Sequence, residues 1–254
     1  NRYMKTTAMI MAGGRGERFW PKSRKNLPKQ FLSLTDDGIT MIQHTVKRIL
    51  PFVEMEDIYI VTNRDYKNLA MEQLPELPEE NIICEPMGRN TAPCVGLAAV
   101  HISRKYEDAL MVVLPSDHLI KYNSMFVDVL KDACQVAEKG NNLTTIGITP
   151  NYPETGYGYI KFDPDQSEGR AYGVERFVEK PDLATAKEYL ADKILRERLL
   201  EISQALLELE NNDIEYIMGS SIDKKKLLSS MTLFHLAEPT CEIFTKVIEK
   251  YYGG

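Results

Sequence analysis

The run "MAGGRGERFWPKSRKNLPKQF", residues 11–31, sets Gly13, Gly14 and Gly16 among six basic residues, with Glu17 the single acid. Glycines lack a Cβ, so their backbone N–H groups can approach phosphate oxygens closely, and Arg15, Arg18 and Lys29 each add a charge-assisted donor. Such a set suits a triphosphate, with Ala12, Gly13, Gly14 and Gly16 as the backbone cradle. A plain glycine turn with solvated cations is the competing reading, strongest for Lys22, Arg24 and Lys25. Two familiar cradles are excluded by residue. No G-x-x-x-x-G-K-[ST] run occurs, and a dinucleotide fingerprint would need a glycine where Phe19 stands.

A second chemical residue is Asp117 in "VVLPSDH". It follows an apolar run and is expected at the carboxyl end of a strand, where open α/β sheets bind their ligands. A carboxylate there suits Mg²⁺, which takes one or two carboxylates plus phosphate oxygens; a turn-forming aspartate is the alternative. The neighbouring His118 is read as a packed residue and given no chemistry.

Positioning such residues requires a sheet with helices on both faces. Apolar runs at 7–11, 58–61, 81–84, 109–114 and 144–148 read as buried strands. Helical patterns at 41–50, 66–74, 92–106 and 124–139 lie between them, the βαβ rhythm of a mostly parallel sheet. From 155 to 178 aromatic and polar residues alternate in "GYGYIKF" and "YGVERFV", which predicts antiparallel strands. Beyond about 192 the spacing of Leu195, Leu199, Ile202, Leu206 and Leu209 predicts an amphipathic helix, with further helical sequence to Tyr252. The expected architecture is therefore an α/β, Rossmann-like domain over 1–191, with a mixed, mostly parallel sheet, followed by a helical segment over 192–254.

Composition narrows the partners. The 254 residues carry a formal net charge of -6, so the basic run is a local device and a nucleic-acid partner is not expected. No apolar stretch approaches a membrane span and no secretory h-region opens the sequence, so no membrane partner and a cytoplasmic location are expected. Cys84, Cys94, Cys134 and Cys241 have no metal-ligand spacing and read as buried free thiols.

The opening run resembles the signature of the sugar-1-phosphate nucleotidyltransferases, and its Trp-Pro and Pro-Lys-Gln elements resemble the mannose-1-phosphate guanylyltransferase branch. "EPMGRNTAPCVGLAA", "VVLPSDH", "PETGYGYIKF" and "VERFVEKP" follow in the family's order, so the resemblance covers roughly 4–191. It implies in-line attack of a sugar phosphate on the α-phosphorus of a nucleoside triphosphate, with GTP and mannose 1-phosphate as substrates and GDP-mannose and pyrophosphate as products. It places Arg18 on the leaving pyrophosphate, Lys29 near the α-phosphate and Arg15 as a guanylyltransferase-type addition. Arg89, Asn90, Thr91 and Ala92 are implied to line the guanine pocket, and Asn90 could equally cap a helix. Gly158 is implied to approach the sugar hydroxyls, Glu179 to accept hydrogen bonds from them, and Lys180 to meet the sugar phosphate. A β-bulge glycine and a surface ion pair are the structural alternatives for these three residues.

Later family segments depart. The tryptophan-bearing runs that hold the sugar and supply a second metal carboxylate do not occur, since Trp20 is the sole tryptophan of this sequence. "SIDKKKL" echoes one element only faintly, which leaves Asp223 a weak candidate and Lys224 to Lys226 a solvated face. The remainder resembles the C-terminal half of an uncharacterised helical bacterial family with no activity to carry over. Its apolar residues, Met231, Leu233, Phe234, Ile243, Phe244, Val247 and Ile248, are expected to pack on the transferase domain or on a second copy in a homodimer. Two functions stay open: a working guanylyltransferase, for mannose or another hexose 1-phosphate, and a GTP and Mg²⁺ binding module that turns over slowly or not at all.

Overall fold

The computed structural model describes residues 4–14, 25–88, 91–120, 122–139, 143–148, 150, 152–153, 155–191, 215–220 and 232–235, with 245, 248, 249 and 252. They form two compact units, Asn1–Leu119 with Leu233–Gly254, and Ile120–Thr232.

The first unit is built on β1 (Lys5–Met11), β2 (Ile58–Asn63), β3 (Ile82–Glu85) and β4 (Ala109–Pro115). β1 pairs in parallel with both β2 and β4, with Ile10 opposite Ile60 and Leu114, and β2 pairs in parallel with β3. The order is β3-β2-β1-β4, and β9 (Thr232–His235), all but its first residue in this unit, follows β4. Ala8 to Ile10, Ile58 to Val61 and Ala109 to Leu114 are buried without alternation, as expected of parallel strands covered on both faces. Each large aliphatic side chain buried this way contributes about 1.5–3 kcal/mol. Helix α1 (Met41–Ile49) starts at a capping box in which Gln43 N donates to Thr40 Oγ1 and Thr40 N to Gln43 Oε1. Helix α2 (Lys67–Gln73) precedes β3, and α3 (Thr91–Ser103) buries Val95, Ala98, Ala99 and Ile102, the two alanines being small enough to let it lie close to the strands.

The second unit holds α4 (Asn123–Glu138), β5 (Leu143–Ile148), β6 (Tyr159–Glu168), β7 (Ala171–Val178), α5 (Leu183–Ala191) and β8 (Glu215–Ser220), with strand order β5-β8-β7-β6. β6 and β7 form the antiparallel hairpin expected from the alternating sequence, turning through Gly169 at φ +61°. Arg170, beside that glycine, is paired with Asp132 of α4.

Most expected elements fall within a few residues of their predicted bounds, and the C-terminal segment is the exception. It is not helical throughout, because residues 215–220 and 232–235 are strands. Tyr216 and Ile217 favour extended backbone, and antiparallel pairing with β5 and parallel pairing with β7 supplies partners for their N–H and C=O groups. This pairing also carries the second unit past residue 191, where a domain boundary was expected. The Leu195 to Leu209 pattern, Asp223 and Lys224 to Lys226 lie outside the described residues.

Candidate active site

At the carboxyl end of β1 the chain passes through Ala12, Gly13 and Gly14, and polar side chains hold this stretch in place. Ala12 N donates to Val61 O at 2.8 Å, and Ala12 O accepts from Thr62 Oγ1 and from Gln30 Nε2, each at 2.8 Å. Gln30 Nε2 also reaches Gly14 O at 3.1 Å, so one buried amide staples both sides of Gly13. Gly13 stands against a side chain that any larger residue would have to displace. A Cβ there would lie 2.8 Å from Glu85 Oε2, the buried carboxylate that ends β3. Burial pushes the Glu85 carboxyl above its ordinary range, against an opposing hydrogen bond from Tyr252.

Lys29 opens a short 3₁₀ turn after Pro28 and places its Nζ 3.2 Å from Asp117 Oδ2. Asp117 follows β4, as its sequence position predicts, and its carboxylate is 43% exposed. The next residue is anchored from α1, where Arg48 Nη2 donates to His118 O at 3.2 Å. An expected phosphate cation and an expected metal carboxylate thus meet at the carboxyl ends of adjacent parallel strands. Thr91 and Ala92 form the first turn of α3. Arg15, Gly16, Arg18, Lys22, Arg24, Arg89 and Asn90 lie outside the described residues.

The three expected sugar-phosphate residues cluster in the second unit. A Cβ on Gly158 would collide with Phe177 Cζ and lie 3.1 Å from Glu179 Oε2, so the glycine stands against β7 and the residue just beyond it. The β6–β7 register shifts fall between Lys161 and Phe162 and between Asp163 and Ser167, so Gly158 is not a bulge residue. Lys180 Nζ lies 3.5 Å from Glu179 Oε1, and Lys180 is the one described non-glycine residue with positive φ, +43°. A lysine in that conformation costs about 1–2 kcal/mol, and such outliers cluster at functional sites. The following turn is fixed by Asp182, whose Oδ1 accepts from Thr185 N at 2.8 Å to start α5.

A family model described as nucleotidyl transferase matches residues 7–219. The chain belongs to that family. Mannose-1-phosphate guanylyltransferase of Klebsiella pneumoniae is 46% identical over 187 residues, covering 72% of this chain and 39% of the relative. ManC of Salmonella typhimurium is 45% identical over 197 residues, covering 75% of this chain and 40% of its own. This nucleotidyl transferase chain therefore spans about two fifths of the length of the curated relatives it matches. Among solved structures, mannose-1-phosphate geranyltransferase from Thermus thermophilus superposes with a TM-score of 0.71 at 30% identity, covering 96% of this chain and 64% of that one. UDP-glucose pyrophosphorylase complexed with UDP-glucose, at 17% identity, a TM-score of 0.52, and 96% and 80% coverage, shares the fold.

Three residues of this nucleotidyl transferase site were not singled out from sequence. Gln30 follows Lys29, but nothing local shows that its amide would turn toward the Gly13 loop. Arg48 carries a readable signal, because 41, 45 and 48 form a buried stripe of α1 and a buried arginine needs acceptors. Glu85 opens the "EPMGRNTAP" run, and its burial comes from strand packing that only the fold reveals. Of the four thiols expected to be buried, Cys94 and Cys134 are, and burial pushes Cys134 up to about 12 and Cys94 well above its usual value; Cys84 is half-buried, and Cys241 lies outside the described residues.

Proposed function

We propose that the chain performs, or contributes the nucleotide-handling part of, GTP:mannose-1-phosphate guanylyltransferase chemistry. The observation that carries this reading is the Lys29–Asp117 pair, 3.2 Å apart beside the stapled Gly13–Gly14 loop, in a chain 46% identical to relatives of that name. The sugar phosphate attacks the α-phosphorus of GTP, a P–O bond forms to the sugar phosphate, and the bond to pyrophosphate breaks. No covalent enzyme intermediate is needed, so the protein contributes orientation and charge compensation.

Lys29 would stabilise charge at the α-phosphate, and the Ala12 to Gly14 backbone would line the phosphates, with Arg15, Gly16 and Arg18 completing the cradle. Thr91 and Ala92 start α3 where N–H groups are unsatisfied, which suits the nucleotide side, with Arg89 and Asn90 beside them. Gly158, Glu179 and Lys180 would receive mannose 1-phosphate. Mg²⁺ fits Asp117, whose Oδ1 has no hydrogen bond among the described residues, because this ion accepts one protein carboxylate when phosphates supply further oxygens. Bound there, it would supply Lewis-acid charge to the phosphates. A cytoplasmic location and a homodimer belong to the same reading; no described helix is long and apolar enough to cross a membrane.

The test is pyrophosphate release from GTP, mannose 1-phosphate and Mg²⁺, with GTP binding titrated in parallel. Turnover supports the enzyme. GTP binding without pyrophosphate release would favour the binding module, a reading kept by the lone Trp20 and the tryptophan-bearing family segments missing from this sequence.

A further inference from the structure

Tyr252 is far from the glycine loop in sequence, yet its hydroxyl donates to Glu85 Oε1 at 2.7 Å. Both residues belong to the first unit. Glu85 is 6% exposed, so its charge has little water to fall back on, and a charge-assisted hydrogen bond is correspondingly strong there. Its other oxygen, Oε2, takes no hydrogen bond among the described residues and lies where a side chain on Gly13 would stand. The carboxylate therefore has one oxygen held by Tyr252 and the other beside Gly13, 2.8 Å from where a Cβ of that residue would stand. Gln30 holds the same backbone through Ala12 O and Gly14 O. Gln30 is bonded to this stretch and Glu85 lies beside it, and Glu85 is tied in turn to a residue more than 160 positions away.

We propose that Tyr252 is a positioning residue for nucleotide binding: its hydroxyl holds the Glu85 carboxylate against Gly13 and so sets the course of the backbone that faces the phosphates. This rests on the reading of the Gly13–Gly14 loop as the nucleotide cradle. Tyr252 acts through Glu85 and not on a reacting atom, which makes the C-terminal stretch a tuning element for a site formed at the opposite end of the sequence. Loss of the hydroxyl leaves Glu85 buried with one donor fewer, and the carboxylate then turns from Gly13 toward other donors or water.

The test uses the full chain and two variants, Tyr252→Phe and Glu85→Gln, singly and combined. Hydrogen exchange of peptides covering residues 9–14 is measured without nucleotide from pH 5 to 8, beside GTP titrations and thermal unfolding. Tyr252→Phe should exchange about tenfold faster at 12–14 and bind GTP about tenfold more weakly. Its exchange ratio to wild type should shrink as pH falls, because a protonated Glu85 is a weaker acceptor. Glu85→Gln is neutral at every pH, so its own ratio to wild type should shrink in the same way, while adding Tyr252→Phe to it should change exchange by a factor that does not vary with pH. Exchange at 12–14 in Tyr252→Phe that matches wild type at every pH overturns the proposal, whatever GTP does. A wild-type chain that does not bind GTP overturns the nucleotide reading and the nucleotide role of Tyr252 with it. In that case the exchange ratio still decides whether Tyr252 positions the loop.

Discussion

Lys29 Nζ stands 3.2 Å from Asp117 Oδ2, although the residues are 88 positions apart and arrive from different strand ends. With side chains 20% and 43% exposed, the pair is worth no more than about 1 kcal/mol to folding. Stability therefore does not explain the pairing, whereas the proposed charge compensation at a phosphate would. Lys29→Met should lower turnover by about 10²–10³-fold while shifting the unfolding free energy by less than about 1 kcal/mol. Asp117→Asn should likewise remove turnover, and should weaken GTP binding only when Mg²⁺ is present. Steady-state pyrophosphate release and GTP titrations with and without the metal check both. Unchanged turnover in Lys29→Met would remove this lysine from the chemistry.

Gly158→Ala should damage the second unit locally. The new methyl would collide with Phe177 Cζ, so the ring must move, and overpacking of this kind costs about 1–3 kcal/mol. Because Glu179 Oε2 is next to the same position, the KM for mannose 1-phosphate should rise. GTP affinity should hold, since the glycine loop belongs to the other unit. A calorimetric scan and substrate titrations separate the two effects, and equal losses for both substrates would contradict a sugar-side role.

The strands and their order of appearance were readable because β1, β2 and β4 are unbroken apolar runs and the β6–β7 hairpin alternates. Asp117 was readable for the same reason, since a carboxylate directly after a buried strand can only emerge at its carboxyl end. Gln30 and Glu85 were not, because their roles depend on which distant backbone atoms they meet. The strands at 215–220 and 232–235 escaped notice because each is short and flanked by leucine-rich sequence with helical spacing. Pairing with β5, β7 or β4 decided their conformation, and local preference did not.

Lys180 offers a separation of stability from function. At φ +43° it occupies backbone space that suits glycine, so Lys180→Gly should match or exceed wild-type stability, by up to about 1 kcal/mol after the added freedom of the unfolded chain. Activity should move the other way, because the cation assigned to the sugar phosphate is lost. Lys180→Ala removes the same charge and keeps the strain, so it should be equally inactive without the gain. Chemical denaturation of the three proteins, with KM for mannose 1-phosphate, tests this. A less stable glycine variant would mean that the strain is not stored at this residue.

Glu85 predicts a pH signature with a definite sign. Its folded carboxyl is raised above the ordinary glutamate value by burial, with Tyr252 pulling the other way. Between the unfolded and folded values the folded state binds more protons, so this residue's contribution to stability falls as pH rises through that window. Above that window the buried carboxylate is charged and costs stability; below it both states are protonated and the cost is gone. Glu85→Gln should therefore unfold at a higher temperature than wild type at pH 7, and the gap should close on acidification toward pH 4. Paired melts at the two pH values suffice. A gap that is the same at both would show that burial of this carboxylate leaves its ionisation unperturbed, and would withdraw the electrostatic basis for its grip on Gly13.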